Sequence, residues 1–150
     1  MDRYLERLSG PVIDRIDQHV EVAAVPFDAL VARKPVETTA MLRARVLEAR
    51  ERSRRRQGET PNAALSGPAL DAAAPLDASS RDLLRQAMAE LGLSARAFDK
   101  VRRVARTVAD LDGSGGIQPE HVAEAISYRL VDRFRVACGS LAASGVGAAR

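Results

Sequence analysis

The 150-residue sequence predicts an all-α fold, a small helical bundle, and three observations point to it. Aromatic residues make up only 3% of a chain that is 46% hydrophobic. The core must therefore be assembled from Ala, Val, Leu and Ile, which suit closely packed helices better than a wide sheet. Apolar residues recur at helical spacing from Glu37 onwards, and Ser, Gly and Pro fall where helices begin and end. The length accommodates one ordinary domain with ragged ends.

Taken in order, residues 1–35 do not read as a free-standing unit. Ser9-Gly10-Pro11 punctuates the chain, Val12–Asp17 has the composition of a short helix, and Gln18–Val22 alternates polar and apolar as a half-buried strand does. One strand cannot make a sheet, so its ladder partners lie outside this sequence or the stretch stays irregular. Residues 36–131 carry the bundle. A first helix is expected from Glu37 to about Arg56, with Met41, Leu42, Val46 and Ala49 on one side. Gln57–Ala78, with Gly58, Pro61, Asn62, Gly67, Pro68 and Pro75, reads as a long connector. Ser80 is the expected cap of a second helix that places Leu84, Ala87, Met88 and Leu91 on its core stripe. Gly92 ends that helix, and Ser94 caps a third whose apolar face is Phe98, Val101, Val104, Ala105 and Val108. Asp112–Gly116 stops it, and Pro119 opens a fourth helix carrying Val122, Ile126 and Leu130, with Glu120 in its first turn. Residues 132–150 form a tail, Gly/Ala/Ser-rich from Gly139 and expected to fray.

The formal charge is +3, and nearly all the cations are Arg. Guanidinium groups make bidentate contacts to phosphate oxygens, so the balance leans towards phosphate-bearing partners. The single Cys, Cys138, excludes an internal disulfide and is compatible with a reducing compartment. No stretch approaches the roughly 18 apolar residues needed to span a bilayer, and the N-terminus lacks the apolar centre of a signal peptide. A cytoplasmic protein with no membrane partner is expected. His19 and His121 are too few and too isolated for a metal site, and no nucleophile and base pair is recognisable.

Two arginines stand apart. Arg96 follows the Ser94 cap at the positive end of its helix, where an exposed cation is disfavoured by about 0.3–1 kcal/mol. Its guanidinium either simply extends into water or serves a site. Arg15 lies between Asp14 and Asp17. It is either an intramolecular ion-pair partner or a cation offered at a domain edge to a phosphoryl group.

The segment Ser9-Gly10-Pro11-Val12-Ile13-Asp14-Arg15-Ile16-Asp17-Gln18-His19-Val20 resembles a motif of magnesium-chelatase-family AAA+ ATPases of the ComM/YifB type. That motif reads SGP, two apolar residues, DRID, one residue, HV. Leu93–Phe98 and Arg103–Leu111 resemble the same family's LSARA and RVARTIADL motifs, and His121–Arg129 resembles its closing helix. The blocks occur in the family's order and together cover most of residues 4–130. The resemblance implies the C-terminal lid of an ATPase that assembles as a hexameric ring. It implies that Arg15 is the arginine finger reaching a neighbouring subunit's nucleotide, and that Arg96 is the sensor-2 arginine on its own subunit's γ-phosphate. ATP and Mg²⁺ would be the cofactors of the complete protein. Its partners would be the AAA+ core, neighbouring subunits and DNA, since ComM-type proteins act as branch-migration motors.

Ser53 and Ala74 depart from the family's Gln and Cys, at positions that do not contact nucleotide. The sequence contains no G-x-x-x-x-G-K-[ST] and no apolar strand ending in Asp-Glu, so the phosphate cradle and the metal-holding acid are not within it. None of these 150 residues is expected to bind ATP tightly alone. The run Arg43–Arg56 reads as a solvated helix face. Its sharper alternative is a sequence-independent contact with nucleic-acid phosphates through Arg45, Arg52, Arg55 and Arg56, as in a free-standing basic helical module or adaptor.

Overall fold

The computed structural model describes residues 15–20, 22–31 and 37–129, which contain helices and no strand. In chain order these are α1 (Phe27–Val31), α2 (Thr39–Gln57), a 3₁₀ turn (Asn62–Ala64), α3 (Gly67–Ala73), α4 (Ala78–Leu91), α5 (Ala95–Asp112) and α6 (Pro119–Ser127). The all-α bundle expected from the sequence is what the chain forms. The tail at 132–150 and residues 12–14 of the expected first short helix lie outside the described residues; Arg15–Asp17, its remainder, forms a turn and bend. Gln18–Val20 is irregular, the alternative that a lone strand left open.

Helix α5 is the axis of the bundle, with α6, α2 and the 3₁₀ turn packed against it and α4 against α6. Val101, Ala105 and Ala109 on α5 are at most 1% exposed and meet Leu84 of α4, Val122 and Ala125 of α6, and Ile117. The local stops fall where the sequence placed them. Ser94 Oγ accepts from the Ala97 N–H at 3.3 Å, and Gly92 is left-handed at φ 61, ψ 36, a conformation that glycine adopts without the Cβ penalty. Pro119 lies in the first turn of α6, where its missing N–H leaves no bond unmade.

Two expectations are corrected. The cap of α4 is Asp77 rather than Ser80: Asp77 Oδ1 accepts from the Ser80 N–H at 2.7 Å, which puts Ser80 inside the first turn and buries it. The connector Gln57–Ala78 is also more ordered than its Gly and Pro content suggests, because it holds the 3₁₀ turn and α3. Leu65, Leu70, Ala73 and Ala74 from this stretch are buried in the core, an apolar contribution too short to display a period. On α2, by contrast, only Ala49 is buried; Met41, Leu42, Val46 and Leu47 remain exposed.

Candidate functional site

Helix α5 carries four arginines, and the fold treats them unequally. Arg102 donates to the carbonyls of Leu70 and Ala74 and pairs with Asp71 at 2.9 Å. Arg103 Nε donates to the Leu65 carbonyl at 2.7 Å. Arg106 is 1% exposed and donates to Asp110 and to the carbonyls of Ser114 and Gly115. Arg96, at the second residue of the helix, is exposed, and none of the ion pairs among the described residues involves it. Its charge lies beside the N–H groups at the helix start, where the dipole opposes a cation and favours an anion.

Arg15 is exposed too, and its neighbours tie it to the bundle. Lys100, one turn along α5 from Arg96, places Nζ 2.7 Å from Asp17 Oδ1. Arg129, just past α6, donates from its guanidinium to the Ile16 carbonyl at 2.5 Å. The His19 N–H donates to the Tyr128 carbonyl at 2.9 Å. The fold thus joins the DRID block to the closing Tyr-Arg of the last block and to the helix that bears Arg96.

The four arginines nominated on α2 do not form one free basic face. Arg45 pairs with Glu37 at 3.1 Å, Arg52 with Glu48 at 3.4 Å and Arg55 with Glu51 at 3.0 Å. Arg56 points inward and grips Asp110 with both terminal guanidinium nitrogens, at 2.6 and 2.9 Å. Asp110, 2% exposed, also accepts from Asn62 at 2.9 Å and Arg106 at 3.0 Å, while Arg52 donates to its carbonyl at 2.9 Å. Burial alone would raise the Asp110 pKa. Hydrogen bonds from Arg56 and Asn62, with the charges of Arg106 and Arg56, outweigh it and hold the carboxyl below its ordinary value. Reading the sequence missed this clasp. Its one local signal was Arg106 and Asp110 at i, i+4 beside the apolar stripe of α5.

No group of three His, Cys, Asp or Glu among the described residues is placed to hold a metal ion. No helix among them is long and apolar enough to cross a membrane.

Residues 36–129, more than half of the chain, match the family described as magnesium chelatase, subunit ChlI C-terminal. The chain belongs to the magnesium-chelatase family. Among curated relatives, YifB of Escherichia coli (strain K12) is 40% identical over 135 residues, which is 89% of this chain and 26% of that protein. Competence protein ComM of Haemophilus influenzae is 39% identical over 133 residues, 88% of this chain and 26% of its own. Rv2897c of Mycobacterium tuberculosis (strain H37Rv) is 37% identical over 130 residues, 85% of this chain and 26% of that protein. The chain therefore spans about a quarter of the length of these relatives.

Proposed function

We propose that this chain is the helical lid of a ComM-type AAA+ ATPase, and that it supplies Arg96 to one nucleotide and Arg15 to the nucleotide of an adjacent subunit in a ring. The observation that carries the reading is the contrast along α5: Arg102, Arg103 and Arg106 are consumed by internal acceptors, whereas Arg96 is exposed at the anion-favouring end of the helix. An arginine held there against the dipole is stabilised when a phosphate arrives, because the helix N–H groups and the guanidinium then face the same anion.

ATP fits the two exposed guanidiniums, whose planar forks suit phosphoryl oxygens. The phosphate loop and the acid that holds Mg²⁺ would come from a separate ATPase core. Exposed Val20, Val22, Val25 and Phe27, with Met41, Leu42, Val46 and Leu47 on α2, give that core an apolar surface to cover. ATP binding between core and lid positions the γ-phosphate, and Arg15 neutralises charge on the transferring phosphoryl oxygens from next door. DNA is the proposed substrate of the assembled motor, by resemblance to ComM-type proteins. The DNA contact is not assigned to α2, because Arg45, Arg52 and Arg55 are bridged to acidic neighbours and Arg56 is internal.

The test is complementation. A full-length YifB or ComM protein whose own finger arginine is replaced by Ala is mixed with this chain, and ATP turnover is measured. The wild-type chain should raise turnover by at least about tenfold, a modest share of what arginine fingers contribute, and an Arg15→Ala chain should not. Equal effects of the two chains would refute the finger role.

A further inference from the structure

The seam between Arg15–Val20 and the bundle is held by polar bonds, and within the segment only His19 is partly buried. Arg15, Ile16, Asp17, Gln18 and Val20 are all exposed, and Ile16 and Val20 keep 40% and 67% of their surface in solvent. The groups that hold the segment belong to the bundle and are themselves well covered. The Lys100 side chain is 13% exposed and Arg129 is 1% exposed. Their bonds fall on Asp17 and on the Ile16 carbonyl, the two residues that follow Arg15. At about 3.3–3.6 Å of chain per residue, Arg15 cannot move far while these bonds last. Arg96 lies four residues before Lys100, about 6 Å along the same helix.

We infer that Lys100 and Arg129 are positioning residues for Arg15: they latch the finger segment to the lid, so that a lid displaced by phosphate contact at Arg96 carries Arg15 with it. The coupling rests on the roles proposed above for Arg15 and Arg96, whereas the latch itself does not. Through it, the occupancy of one nucleotide pocket sets the placement of the arginine offered to another. Lys100 supplies a charge that can be reversed and restored, which separates latching from a general need for the side chain.

Two measurements test this. In the intact 150-residue chain, amide hydrogen exchange is followed at His19, whose N–H bonds to the Tyr128 carbonyl. Lys100→Glu and Asp17→Lys should each speed His19 exchange by at least about tenfold while the amides of α5 keep their protection. The charge-swapped double variant should bring it back, and Lys100→Arg should leave it near wild type. A His19 amide that exchanges freely in the wild-type chain, or singles that leave it unchanged, would overturn the latch.

In the complementation assay, Lys100→Glu should lower kcat several-fold with KM unchanged, and the swapped pair should recover it. A Lys100→Glu chain with unaltered kcat would overturn the positioning role. An Arg15→Ala chain as active as wild type would instead overturn the finger reading and the coupling, leaving the exchange result on the latch intact. The two failures are therefore told apart.

Discussion

Asp110 accepts from Arg56, Asn62 and Arg106 at once, a set of bonds that joins the end of α2 and the 3₁₀ turn to α5. Replacing it with Ala leaves the Arg106 guanidinium buried beside no carboxylate. Breaking one side of a buried, hydrogen-bonded pair costs about 3–5 kcal/mol, so Asp110→Ala should lower the urea-unfolding free energy by that order. The same carboxyl sets a pH dependence. Its folded pKa lies below the unfolded value, so its contribution is fully present above about pH 4 and is lost as pH falls through the folded value. Urea midpoints measured from pH 6 down to pH 2 should fall for the wild-type chain, and Asp110→Asn should flatten part of that fall. An unchanged slope in the Asn variant would place the acid sensitivity elsewhere. Beyond the i, i+4 spacing of Arg106 and Asp110, this clasp could not be read from the sequence, because Arg56 and Asp110 are separated by 54 positions and meet only once α2 packs on α5.

At the scale of elements, the stops were legible because they are local. Gly92 and Gly113 end α4 and α5 with φ of 61 and 77, a region that costs a residue with a Cβ about 1–2 kcal/mol. Gly113→Ala should therefore lose about that much stability, measured by thermal or urea melts. Its added Cβ would meet the Arg52 guanidinium at 3.4 Å, contact a flexible side chain can accommodate. A loss within about 0.3 kcal/mol would mean that α5 tolerates another ending. Asp77 was overlooked because Ser80 also suits a cap by residue type, and only the bond from the Ser80 N–H to Asp77 Oδ1 decides between them. Helix α3 escaped notice for a different reason: seven residues contain too few turns for a period, although Leu70 at 1% exposure is as deep as any core residue of α4. Leu70→Ala should cost about 2–5 kcal/mol. A much smaller loss would show that α3 is not part of the folding unit.

For the whole molecule, the family and the all-α class were legible because the motif blocks keep their order. How the blocks meet was not, since the Ile16 to Arg129 bond spans 113 positions. Residues 15–20, which precede the bundle in the chain, bond to α5 and to the end of α6. With no phosphate loop in its sequence, the chain incubated with ATP and Mg²⁺ should show no turnover, and measurable hydrolysis would contradict the lid reading. Titration with duplex and single-stranded DNA at two salt concentrations tests the rival of a basic nucleic-acid module. Micromolar binding that weakens steeply with salt would favour that rival, whereas the bridged arginines of α2 predict weak binding.

The proposed lid role puts Arg96 against the nucleotide. The most direct measurement is the affinity of a ComM-type core truncated before its own lid for a fluorescent ATP analogue, with and without this chain. The wild-type chain should tighten binding by about tenfold, equivalent to about 1.4 kcal/mol, and an Arg96→Ala chain should lose most of that gain. Equal affinity with the wild-type and Arg96→Ala chains would contradict the account.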